Sequence, residues 1–370
     1  MKKVVLIISL FSIVGSLLAQ DRNLFKLANE YYLNGDYEKS ITIYKKLEKD
    51  KINFNSIYNS YLGSLLKLEY FSEAENLVRK AQKKDPNNLK YEIDLGYVWK
   101  LNKLTKKAEK QFQKTINSLS PGQYSQVNSL ASSFTYLGEH EWALKTYRKA
   151  QENNPKHNFR FQIANIYRNL GKTELMVDEF ILLVIEEPFK RQSVQNTLLN
   201  TLDRTKGVED NFEILKKQLI KEIQKSNNID LTEMLIWLFM QQDEFSAAYV
   251  YCKAIDKRLN ENGHRMYELA TIAHENKVYK VAIDAYEYLI KKDNPNYLLE
   301  AKILKVIAQS EQTLTSTYAK YDLEKIDDEY QNTINELGKN ISTAYLIKEY
   351  AHFQGFYLNN LEKAVSLLEE

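Results

Sequence analysis

The 370-residue sequence has one cysteine, five prolines, eleven glycines and five histidines. A lone thiol, Cys252, forms no internal disulfide, so packing alone must hold the fold; its place in a row of large apolar positions makes it a core residue. Few prolines and glycines mean few backbone breaks, and with 26 Tyr and 15 Phe to pack they favour long helices over a turn-rich β fold. An excess of charge is also missing, since 51 Lys and Arg face 49 Asp and Glu. Nucleic-acid and anionic-membrane binders concentrate basic residues because phosphate contacts supply most of their affinity. Here Lys and Glu alternate, as from Glu38 to Lys49, which is the pattern of a solvated helix face. No nucleic-acid partner is expected.

The common catalytic and cofactor motifs are missing too. Phosphate-cradling loops need glycines a few residues apart so that bare backbone can approach the phosphates, and the closest here are Gly122 and Gly138. His264 and His274, ten residues apart, would be separated by about 15 Å of helical rise, too far to share a metal ion. The segments beginning at His140 and His274 lack the second histidine of a zinc-protease motif. Adjacent acidic pairs, Glu186–Glu187 and Asp327–Asp328, point to different helix faces and read as solvent-facing. No catalytic residue, metal or cofactor is expected.

Long apolar runs are absent except at the start. Lys2 and Lys3 precede a mainly apolar stretch from Val4 to Ala19, then Gln20 and Asp21, the layout of a secretory signal peptide cleaved after Ala19. The stretch falls short of the roughly 20 residues that span a bilayer. The expectation is an exported chain, periplasmic or otherwise associated with the envelope, with no membrane insertion after cleavage.

What the sequence does have is a period. Pro86, Pro121, Pro155 and Pro188 are 35, 34 and 33 residues apart, and Pro295 follows 107 later, about three further periods. Proline cannot continue a helix, so each marks the end of one. Small residues keep the same beat at Ser40, Ala74, Ala108, Ala143, Ala248 and Ala282. Four residues on come Tyr44, Val78, Phe112, Tyr147, Phe180, Cys252 and Tyr286, one helical turn away on the same face. A second stripe, such as Leu24, Leu27, Ala28 and Tyr31 or Val127, Leu130, Ala131 and Phe134, precedes each, and Gly35, Gly138 and Gly171 stand between the two helices.

These residues resemble tetratricopeptide repeats (TPRs), most plainly in LANEYYLNGDYEKSITIYKKL and LASSFTYLGEHEWALKTYRKAQENNP. Glu69 and Lys103 depart from the turn glycine, Met176 from the small residue and Arg160 from the apolar stripe. The resemblance implies an all-α, right-handed α-solenoid of TPR helix pairs. The expected divisions are a signal peptide at 1–19, five TPR units in 20–190, a degenerate helix pair in 191–228, two TPR-like units in 229–296, an extended pair in 297–344 and an incomplete unit in 345–370. The last helix ends acidic and without a glycine cap, against its macrodipole, which suggests that the natural chain continues or pairs there. Lys, Asn and Tyr usage together with the LLAQ signal end resembles envelope TPR proteins of Bacteroidota-type bacteria, some of which serve secretion or gliding machinery.

Stacked helix pairs leave an inner surface lined by the first helix of each unit. The helical angle from the core stripe puts Phe161, Asn165, Arg168 and Asn169 on it in the fifth unit, Asn128, Ser132 and Tyr136 in the fourth, Ile93, Tyr97 and Lys100 in the third, and Asn29 and Tyr32 in the first. Asn, Arg and Tyr there can hydrogen-bond an extended peptide or its carboxylate. A protein or peptide is the expected partner, and the expected function is a non-catalytic binding scaffold. The alternative is the N-terminal interaction region of a longer enzyme or accessory protein.

Overall fold

The computed structural model describes residues 22–49, 54–120, 122–202 and 211–369. The expected signal segment and its cleavage point lie outside them. Of the described residues 82% are helical, in 20 α-helices and two short 3-10 turns, and none is in a strand.

The helices come in hairpins: α1 (22–33) with α2 (Tyr37–Lys49), α3 (Phe54–Lys67) with α4 (Phe71–Lys84), α5 (Leu89–Leu101) with α6 (Thr105–Asn117), α7 (Tyr124–Tyr136) with α8 (His140–Asn153), and α9 (Arg160–Asn169) with α10 (Thr173–Glu186). Next are α11 (Arg191–Leu202), α12 (Asn211–Ser226), then α13 (Ile229–Gln241) with α14 (Phe245–Leu259) and α15 (His264–Glu275) with α16 (Tyr279–Lys292). The longer α17 (Leu298–Leu314) and α18 (Lys320–Leu337) precede α19 (Ala344–Phe356) and α20 (Leu361–Glu369). The chain forms two compact units, Met1–Met176 and Val177–Glu370, with the boundary inside α10. In the first unit α5 packs beside α7 and α6 beside α8; in the second α11 packs beside α13, α14 beside α16 and α17 beside α19. Each unit is therefore a two-layered stack in which every hairpin covers the next.

Seven hairpins turn through three residues, and the middle one is left-handed every time: Gly35, Glu69, Lys103, Gly138, Gly171, Asp243 and Lys277, with φ between 57° and 82°. The turn needs this conformation because the next residue's N–H reaches back to the carbonyl five residues earlier, as Leu104 does to Trp99 at 2.8 Å and Val278 to Ala273 at 2.8 Å. Only glycine adopts it without a Cβ penalty, and at Glu69, Lys103 and Lys277 the chain carries a strain of about 1 kcal/mol each. Replacing all three by glycine is expected to raise thermal stability, by up to about 0.5 kcal/mol per site once the added backbone entropy of the unfolded chain is subtracted. An unchanged or lower melting temperature in calorimetry would show that these turns are not strained.

Between the layers, the small residues Ser40, Ala74, Ala108, Ala143, Ala248 and Ala282 all have 0% exposure, and Tyr44, Val78, Phe112, Phe180 and Tyr286 beside them are equally buried. Aromatic contacts run from hairpin to hairpin, Tyr44 to Tyr61 at 5.6 Å, Tyr58 to Tyr91 at 4.9 Å, Phe112 to Phe134 at 5.2 Å and Tyr147 to Phe159 at 5.2 Å. Rings at these separations add roughly 0.5–1.5 kcal/mol per pair beyond area burial, which ties each hairpin to the next.

Three sequence expectations change. Leu27, assigned to the first core stripe, is 38% exposed, and only Ala28 of that stripe is fully buried. Ile93, assigned to the inner surface, has 0% exposure and belongs to the core, because α5 is covered on both sides. Asp327, read as solvent-facing, accepts hydrogen bonds from Tyr350 and Gln354 and lies 3.4 Å from the Lys363 ammonium, joining α18 to α19 and α20.

Candidate functional site

In the first unit, Tyr136 is 80% exposed at the end of α7, and Arg168 and Asn169 stand exposed at the end of α9. Tyr32, Tyr97, Asn128, Phe161 and Asn165 are half-buried. Burial raises the Tyr32 phenol above its ordinary value, and the Tyr136 hydroxyl raises it further, ahead of Tyr37. The first and fourth hairpins thus bring Tyr32 and Tyr136 into one electrostatic neighbourhood, although they are far apart in sequence.

Other predicted residues are partly occupied with the fold. The Asn128 side-chain oxygen accepts from the Tyr147 hydroxyl at 3.2 Å, and the Asn165 amide donates to the Phe161 carbonyl at 2.9 Å, one helical turn back. Below them, buried Asp94 on α5 accepts from Tyr58 on α3 at 2.7 Å and from Lys90 at 2.6 Å. Desolvation nevertheless pushes its carboxyl above the usual range. On the outer layer, Arg148 donates to the Tyr167 hydroxyl at 2.8 Å and so links α8 to α9, whereas Lys145 lies over the Trp142 ring and Lys149 pairs with Glu152.

The second unit holds a cavity of about 1030 Å³ that sequence reasoning missed. It is lined chiefly from α11, α13 and α15, and Tyr297 also borders it. Its apolar lining comes from Ile236, Met240, Leu269 and Ile272. Its charged lining is a chain of shared contacts. Arg191 on α11 pairs with Asp230 at 2.7 Å and with Glu233 on α13; Arg265 on α15 pairs with the same Glu233 and with Glu261 at 2.8 Å. Burial, and then Arg191, lowers the Arg265 pKa, while burial, and then Asp256, raises that of Glu261. Glu268 is 60% exposed, lies 3.3 Å from His264 and forms no ion pair with Lys or Arg among the described residues. Gln195, 6% exposed, lines the cavity with no hydrogen bond to its amide among the described residues.

Cys252 also borders this cavity but is 2% exposed, and burial, followed by Glu268, Asp256 and Glu261, pushes its thiol up to about 12. A thiol so protonated is a poor nucleophile at neutral pH and serves as core. Among the described residues no cluster of three or more His, Cys, Asp or Glu could hold a metal ion, and no helix is long and apolar enough to cross a membrane.

Hairpins with a buried small residue in each second helix, left-handed three-residue turns and layered stacking define an all-α fold of TPR-like helix pairs. The tetratricopeptide-repeat family model matches residues 21–49, the first hairpin. No match is found among curated proteins. Similar solved structures include Naa15/Naa10 bound to HypK-THB (13% identity, 95% of this chain, 58% of that chain, TM-score 0.28). Yeast Tom70 is another (12%, 95% and 91%, TM-score 0.29). So is a thermophilic TPR protein in Thermus thermophilus (14%, 50% and 100%, TM-score 0.27). The chain thus spans 58% of the length of the Naa15/Naa10 chain it matches.

Proposed function

We propose that this protein is an exported, non-catalytic scaffold that holds a segment of a protein partner against the first-helix layer of its hairpins. The observation that carries this reading is the separation of roles in the first unit. Tyr136, Arg168 and Asn169 are exposed and free of the packing stripes, while the residues that hold the hairpins together are buried beneath them. A rigid helical scaffold that presents an aromatic ring, a guanidinium and an amide is suited to an extended peptide, whose backbone and carboxylate need donors and whose side chains need an apolar contact. The apolar stretch after Lys2 and Lys3 supports export to the envelope.

One capture experiment tests both parts. The protein recovered from an envelope fraction should begin at Gln20, and partners retained by the parent should be lost from the triple variant Tyr136→Ala, Arg168→Ala, Asn169→Ala. Surface changes of this kind cost less than about 0.5 kcal/mol each, so lost binding would not reflect unfolding. Lys145→Ala with Lys149→Ala is the outer-layer control; Arg148 is unsuitable because it holds Tyr167. A partner kept by the triple variant and lost by the control would place the function on the outer layer instead.

A further inference from the structure

We propose that the cavity of the second unit is a binding site for a lysine or arginine side chain carried by an extended peptide segment. This rests on the scaffold reading above and gives it a chemistry. Three carboxylates line the cavity, Glu233, Glu261 and Glu268, against two guanidiniums, Arg191 and Arg265, and Asp230 pairs with Arg191 from behind the lining, so the site is acidic. Both guanidiniums are already engaged, Arg191 by Asp230 and Glu233, Arg265 by Glu233 and Glu261, which leaves neither free to receive an anion. Glu268, by contrast, has no Lys or Arg partner among the described residues. A cationic head is therefore complementary to the rim and an anionic one is repelled.

Two further features select the ligand. Below the carboxylates, Ile236, Leu269 and Ile272 offer an apolar wall along which the methylene stem of Lys or Arg can lie while its charged end stays at the acidic rim. Gln195 supplies the second, independent pointer. The residue is 94% removed from solvent, borders the cavity and makes no side-chain hydrogen bond within the described protein, so what remains accessible of it faces the cavity. A peptide group, which offers one N–H and one C=O, would pair with both the oxygen and the nitrogen of that amide. A free polyamine or metal ion offers no such pairing, so the occupant is a polypeptide.

The test uses the full chain and three blocked heptapeptides of common sequence whose central residues are lysine and arginine, norleucine, or glutamate, followed by fluorescence anisotropy in about 0.1 M salt. The cationic peptide should bind at least tenfold more tightly than the norleucine form, and the glutamate form most weakly. Glu268→Gln, which breaks no arginine pair, should remove most of the cationic preference. Gln195→Leu should weaken cationic and norleucine peptides alike, with circular dichroism unchanged in both variants. Equal binding of the three peptides, preference for glutamate, no binding by any, or an unaltered preference in Glu268→Gln would each overturn the assignment. Those results would leave the scaffold reading to its own test, because Tyr136, Arg168 and Asn169 lie in the other unit.

Discussion

Replacing Ala143 by arginine is expected to unfold the middle of the first unit, at a cost of about 3 kcal/mol or more. Ala143 is the small residue of α8, with 0% exposure, and α8 packs on α7, whose buried residues are Val127, Leu130, Ala131 and Phe134. An arginine there must either bury an unpaired guanidinium or push α8 off its partner, and both outcomes are severe. Because each hairpin is stabilised largely by its neighbours, the loss spreads to α5, α6 and α9 rather than staying local. Ser132→Arg, at an exposed position on α7, adds the same charge without the burial and should change stability by less than about 0.5 kcal/mol. Thermal unfolding followed by circular dichroism separates the two, and an unaltered melting curve for Ala143→Arg would mean that the packing register described for α7 and α8 is wrong.

Gly96 is the second position where a large effect is expected. A Cβ there would sit 2.4 Å and 2.7 Å from ring carbons of Phe112. Phe112 cannot retreat, for it is fully buried and its ring meets Phe134 at 5.2 Å and Trp142 at 5.4 Å. Gly96→Ala gains about 1 kcal/mol of helix propensity but loses about 1–3 kcal/mol to overpacking, so it should destabilise on balance. Gly96→Leu should cost on the order of 3 kcal/mol or more. Gly63, the equivalent position on α3, makes the contrast. Its added Cβ would meet the far end of half-buried Tyr32, the hydroxyl at 2.8 Å and two ring carbons at 3.1 Å and 3.2 Å, a side chain that can swing away. Gly63→Ala should therefore be neutral or stabilising, and if both alanine variants behave alike in denaturant unfolding, the tight α5–α6 contact is not what limits the first unit.

Helix pairs and core positions were legible in the sequence because the repeat writes them several times over. One alanine proves little, but Ala74, Ala108, Ala143, Ala248 and Ala282 at a common beat, each followed four residues later by a large side chain, leave little freedom. Glycines 63 and 96 escaped notice, since nothing local distinguishes a helix glycine that admits a neighbouring ring from one that does not. The second unit's cavity was illegible for a different reason. Its contacts join residues about one period apart, Arg191 with Asp230 and Glu233 with Arg265, and in a chain with 51 basic and 49 acidic residues many pairs share that separation without touching. Asp94 and Asp327 were equally hidden: a carboxylate that accepts two or three hydrogen bonds looks in sequence like any solvated one.

Glu233 has a mechanical role as well as a chemical one. Held at once by Arg191 of the preceding hairpin and Arg265 of the following one, it acts as a rivet through three adjacent helices, α11, α13 and α15. The attraction that holds the rivet weakens as ions screen it, though less than for a fully exposed pair, because Glu233 is only 17% exposed. Ionic strength is thus the solution variable to which the tie between α11, α13 and α15 responds.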